Sequence, residues 1–134
     1  MFRAIPLLFI VVAIWNVLVF MTGTPLNAMA LSFGLPSNTV LTITTGEALV
    51  GLGLILLYFE ILKSTRTTGA SIADHALSMA LFVAALLELI LVPAMGTGSF
   101  ALIVLLTLVD VIAGFTVTIS TARRDIGFGG DRLG

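Results

Sequence analysis

Apolar residues arrive in four blocks along the chain, and polar ones gather between them. The blocks run from about Ala4 to Thr22, Val40 to Leu62, Ala73 to Pro93 and Gly98 to Ser120. Each approaches the roughly 20 residues that a helix needs to cross a bilayer at about 1.5 Å per residue. None shows the sustained period-two alternation of a membrane barrel strand. Lipid offers no partner to backbone amides, so such blocks are expected to be helical. The pattern predicts an all-α fold, a four-helix transmembrane bundle. It forms a single integral membrane domain over residues 1–134, with a flexible, glycine-bearing tail at 123–134.

The breaks between blocks carry turn chemistry. Pro36-Ser37-Asn38-Thr39 interrupts the chain and offers Ser or Thr as a cap for the second helix. Ser71 and Asp74 resemble a capping pair opening the third. Pro93, Gly96 and Gly98 mark a tight turn, so helices three and four are expected to be antiparallel neighbours. Leu26–Leu35 is apolar yet lies between spans. It is open to three readings: a segment at the interface, a short helix over the bundle, or a contact for a partner. Gly127-Phe128-Gly129-Gly130 lacks the strand–turn–helix setting of a phosphate loop, so no nucleotide role is assigned to it.

Composition removes whole classes of function. Hydrophobic residues make up 59% of the chain and charged residues 10%, with a mean hydropathy of +1.22. A water-soluble domain cannot cover its surface with so few polar groups. Soluble enzyme, nucleic-acid binder and disordered chain are therefore not expected. Cysteine is absent and histidine occurs once, at His75. Disulfides, thiolate chemistry, a metal site and a bound cofactor are accordingly not expected.

Charge placement sets an orientation. The cations are Arg3 before the first block, Lys63 and Arg66 between the second and third, and Arg123, Arg124 and Arg132 after the fourth. Residues 23–39 and 95–97 carry no charge. Four crossings place every cation on one side, and the positive-inside rule then puts both termini in the cytoplasm. The expected location is a bacterial cytoplasmic (inner) membrane. A rival reading makes residues 1–30 a signal peptide, with Ala28-Met29-Ala30 as the cleavage site. It would leave three spans and opposed termini.

The acids divide into two groups. Glu60, Asp74, Asp125 and Asp131 stand beside the bases and are expected to be solvated; Glu60 and Lys63, three apart, can pair on a helix face. Glu47, Glu88 and Asp110 fall within blocks. An acid near the bilayer centre costs about 2.5–3.5 kcal/mol on insertion scales, so these are expected to face protein. Glu88 continues the stripe Ala76, Ala80, Ala84; Glu47 shares a face with Thr44 and Gly51; Asp110 shares one with Thr107, Ala113 and Gly114. Small residues at this spacing let membrane helices approach closely. Counted from the outer ends, Asn16, Glu47 and Glu88 lie at similar depth, with Asp110 near the midplane and Thr107 one turn outward. Asn16, Glu47, Glu88, Thr107 and Asp110 are thus expected to form one polar layer, at a depth where no Lys or Arg is available.

Other signals are weaker. His75 follows Asp74 at the mouth of the third helix. Trp15 and Tyr58 fall where interfacial anchors stand. Thr42, Thr44, Thr45, Thr116, Thr118 and Ser120 can bond back to their own helices. No nucleophile–base–orienter set or metal-ligand spacing appears, so enzymatic activity is not expected. In length and number of spans the chain resembles the small multidrug transporters. Those carry an essential Glu in the first helix, where this chain has Asn16, so no residue is carried across. Two functional expectations follow. The first is an accessory or scaffold subunit that packs in the bilayer against a membrane protein partner or as a homo-oligomer. The second is an oligomeric proton- or cation-coupled transporter of small solutes that uses the intramembrane carboxylates.

Overall fold

The computed structural model describes residues 5–65 and 71–129. Arg3, Arg66, Asp131 and Arg132 lie outside the described residues, as do the side chains of Arg124 and Asp125. The chain is mostly helical. Helix α1 spans Leu8–Asn16 and continues as a wider π turn over Val17–Thr22. Gly23 ends it with a positive φ of 62°, the left-handed conformation that a glycine after a helix adopts without a Cβ penalty. Helices α2 (Thr45–Ser64), α3 (Ser71–Leu91) and α4 (Gly98–Gly129) follow. Between α3 and α4, Pro93–Met95 makes one 3-10 turn that sends Met95 into the core.

Three stretches, Thr45–Ser64, Ala73–Leu91 and Gly98–Ser120, are long and apolar enough to cross a membrane. The helical run Leu8–Thr22 is apolar but shorter. Its length is about 22 Å, against about 30 Å of hydrocarbon. Helix α4 continues to Gly129, past the expected end of the fourth span and through residues expected to form the tail.

The expected all-α architecture needs one correction. Met29–Gly34 (β1) and Val40–Thr44 (β2) form an antiparallel two-stranded sheet. The second span therefore begins at Thr45, not Val40, and Leu26–Leu35 is neither a helix nor an irregular loop. The physical reason lies in local alternation. Met29, Leu31 and Phe33 alternate with Ala30, Ser32 and Gly34, and β2 is rich in β-branched residues. The turn closes through Asn38 N–H to the Leu35 carbonyl at 3.0 Å and Leu35 N–H to the Thr39 carbonyl at 2.9 Å. Asn38 sits at φ 60°, a region that asparagine tolerates.

The cap of α2 is Thr44, not a residue of the Pro36–Thr39 break. The Glu47 N–H donates to Thr44 Oγ1 at 3.2 Å, and the Thr44 N–H donates to Glu47 Oε2 at 2.8 Å. This reciprocal box satisfies amides that the first turn cannot bond internally. Two further N–H groups of that turn donate to the chain before β1: Thr45 to the Ala28 carbonyl at 3.0 Å and Gly46 to that of Leu26 at 2.8 Å. The base of the hairpin is thereby fixed to the end of α2.

The helices run up and down in turn. Leu7 meets Glu60, Asn16 meets Glu88, Gly53 meets Leu106, and His75 meets Thr118. Helix α4 is the packing centre, lying against α1, α2 and α3. The core gathers Leu8, Val11, Trp15, Ala85, Met95, Phe100 and Ile103. Trp15, expected at an interface, is fully buried, with its ring centroid 5.2 Å from that of Phe100. Tyr58 is exposed. A Cβ on Gly53 would lie 2.8 Å from Leu106 Cδ1, so this glycine leaves room for the Leu106 side chain of α4 against α2.

Candidate functional site

Polar side chains inside the bundle collect at two levels, not in one layer. Near the hairpin end, Asn16 of α1 donates through Nδ2 to Glu88 Oε2 of α3 at 3.1 Å and to its own helix at the Val12 carbonyl, 3.0 Å away. Both residues are half-buried. Glu47 does not join them. It is exposed in the first turn of α2 and held by the Thr44 N–H and by Thr44 Oγ1, the latter at 2.9 Å. Its apparent depth in the sequence came from counting the strand Val40–Thr44 as helix.

Towards the opposite end a larger cluster draws on every helix. Glu60 is 7% exposed. Its Oε2 accepts the Leu7 N–H at 2.8 Å and its Oε1 pairs with Lys63 Nζ at 3.0 Å. Lys63 Nζ also donates to the Ile5 carbonyl at 3.4 Å. The first four N–H groups of a helix lack intrahelical acceptors, so Glu60 acts as an external cap for α1, supplied from α2.

Asp110 of α4 is buried and hydrogen-bonds Ser78 of α3, also buried. It lies within electrostatic reach of Glu60, Lys63 and His75. One turn further along, His75 Nε2 is 2.6 Å from Thr118 Oγ1. Thr118 donates its hydroxyl hydrogen to the Gly114 carbonyl at 3.0 Å. Thr118 Oγ1 thus lies within hydrogen-bond distance of both the imidazole and its own helix. The imidazole also stacks on Phe115, with centroids 5.3 Å apart. Gly114 makes room for the ring, since a Cβ there would lie 2.6 Å from Cε1 and Nδ1.

The remaining expected residues are placed as follows. Thr107 is buried but turns to its own helix, donating to the Val104 carbonyl at 2.7 Å. Gly51 and Ala113 are half-buried. Ala76, Ala80 and Ala84 lie on the exposed side of α3, while Ser78, Leu81 and Ala85 form its buried side. Sequence reasoning missed Glu60, Ser78 and His75 as cluster members. Two spacings carried a usable signal: Glu60 to Lys63 and His75 to Ser78, each three apart and so on one helix face.

Chemically, the cluster places two carboxylates, an ammonium, an imidazole and two hydroxyls within one region of the bundle. Among the described residues, no group of three or more His, Cys, Asp or Glu side chains is arranged to hold a metal ion. Comparison with protein-family models, with curated proteins and with solved structures finds no match.

Proposed function

We propose that this chain is a small integral membrane protein of four spans, both termini cytoplasmic, that serves as an accessory or scaffold subunit. It packs against a membrane protein partner or against its own copies. The bacterial cytoplasmic membrane is the location that its charge asymmetry suits. The observation carrying this reading is that Glu47, Glu60, Glu88 and Asp110 are all engaged in ties within the chain. Meanwhile the Ala76, Ala80, Ala84 stripe faces outward. Polar groups then hold the bundle together, and a small-residue helix face is left for a neighbour. The shorter α1 completes its crossing in the company of α2 and α4 rather than alone.

Native mass measurement after gentle detergent extraction tests this. The expected species is larger than the 14.1 kDa chain, and A80F, which places a large ring on the outward stripe, shifts it to the lone chain. A chain that travels alone before any substitution defeats the scaffold reading.

The second reading, a proton- or cation-coupled transporter, is favoured by one feature: Asp110 lies within electrostatic reach of Glu60, Lys63 and His75. Proteoliposome flux separates the two. A pH-driven flux that D110N abolishes while the assembly stays intact selects the transporter.

A further inference from the structure

The hairpin β1–β2 carries two unlike faces. In the observed register Leu31 stands opposite Ile43 and Phe33 opposite Leu41. Side chains alternate across a strand, so these four share one face. Ser32 opposite Thr42, and Gly34 opposite Val40, share the other. Leu31, Phe33 and Leu41 are each about half exposed, at 51%, 50% and 46%. Residues 23–46 contain no charged side chain. Ile43, nearest α2, is half-buried, and the rest of the apolar face lies open among the described residues.

Three observations narrow what covers it. The hairpin base is bonded to the first turn of α2, where exposed Glu47 marks the level at which a carboxylate meets water or headgroups. The hairpin therefore starts at that level. The sheet has only two strands, so each keeps one unpaired edge, which the hydrocarbon interior does not tolerate. At the end of the helical run that leads to the hairpin, Phe20 and Met21 are exposed at 60% and 79%. Exposed apolar side chains thus stand on both sides of the connecting residues 22–28.

We propose that the hairpin lies flat in the membrane interface as a lipid-seated ribbon, in the manner of an interfacial amphipathic element. Leu31, Phe33 and Leu41 dip into the acyl boundary. Ser32 and Thr42 face the headgroups, and water and glycerol oxygens satisfy the strand edges. The attraction is apolar, with no dependence on anionic lipid, because the segment has no cation. This rests on the membrane reading above.

The cysteine-free chain allows a direct test in full-length protein reconstituted in phosphatidylcholine vesicles. Single-cysteine variants Leu31→Cys, Phe33→Cys, Ser32→Cys and Thr42→Cys carry a nitroxide, and Leu54→Cys on the exposed side of α2 is the control. Oxygen collects in lipid, and a nickel chelate stays in water. The expected result is a several-fold higher oxygen-to-nickel accessibility ratio at 31 and 33 than at 32 and 42. Nickel access at all four places the hairpin in water. Exclusion of both reagents from 31 and 33 shows a protein cover. Either outcome overturns the proposal, as does any pattern in which 31 and 33 are not set apart from 32 and 42. Nickel access at Leu54 defeats the membrane reading itself, whatever the hairpin shows.

Discussion

The two ends of the bundle solve the same problem by opposite means. At the hairpin end, the free amides at the start of α2 are met by the Thr44–Glu47 box and, across the hairpin, by carbonyls of Leu26 and Ala28. At the other end, the Leu7 N–H that opens α1 is met by Glu60, a partner 53 positions away. The first arrangement is confined to one hairpin and the helix turn that follows it, and needs no other helix. The second exists only once α1 has docked on α2, and it draws Lys63 and the neighbourhood of Asp110 with it. Polar groups at the hairpin end therefore shape a segment, whereas those at the far end report on assembly of the bundle.

The sharpest way to break this comparison is to remove the long-range tie. Glu60→Ala leaves the Leu7 N–H without its acceptor and Lys63 without its carboxylate. A hydrogen bond to a charged group contributes about 1.5–3 kcal/mol, and an unmatched buried partner adds to the loss. A destabilisation of roughly 2–3 kcal/mol is expected in denaturant titration in detergent, with Glu60→Gln losing less because it still accepts. If Glu60→Ala unfolds at the wild-type midpoint, the far-end cluster is not what joins α1 to the bundle.

Next in size is Gly114→Ala. The new methyl would sit 2.6 Å from the His75 ring, and overpacking of this kind costs about 1–3 kcal/mol. The ring is held by Thr118 and Phe115, so it cannot simply swing away. Pairing the change with His75→Ala should recover part of the loss, and a double-mutant cycle reads that recovery as a coupling. Strictly additive effects would mean that His75 does not constrain the α3–α4 approach.

At the hairpin end the effect should be smaller and should distinguish two chemistries of one residue. Thr44→Ala removes the cap and should cost about 1 kcal/mol. Glu47→Gln should be close to neutral, because glutamine serves equally as the second member of a capping box. Thermal melting of both variants checks the pair. A large loss from Glu47→Gln alone would show that its charge, not its hydrogen bond, matters there.

These contrasts also explain what the sequence could show. The Ala73–Leu91 and Gly98–Ser120 spans and their tight turn were legible, because length, hydropathy and Pro93 with Gly96 and Gly98 are local signals. The hairpin was not: Val40–Thr44 is apolar enough to merge with α2, and its period-two alternation lasts too few residues to stand out. That merger displaced Glu47 from the first turn into an apparent mid-membrane position. The outward turn of Ala76, Ala80 and Ala84 is missed because the small-residue spacing outweighs His75 and Ser78, the weaker pair that marks the inward side of α3. Burial of Glu60 was invisible for a different reason. Its partner is a backbone N–H of Leu7, and no residue type announces that.

The smallest expected effect tests whether the two levels are energetically as unlike as they look. Asn16 and Glu88 join α1 to α3 through a side-chain hydrogen bond of 3.1 Å, and both are half-buried. Hydrogen bonds between membrane helices average about 0.6 kcal/mol in double-mutant cycles, because each group finds other partners when the bond is lost. Asn16 already has one, the Val12 carbonyl. The cycle of Asn16→Ala with Glu88→Ala is therefore expected to return a coupling near that average, well below the loss from Glu60→Ala. The comparison turns on this ordering. A coupling as large as the Glu60 effect would make the hairpin end a second anchor of the bundle, and α1 would then be held at both ends rather than hung from one.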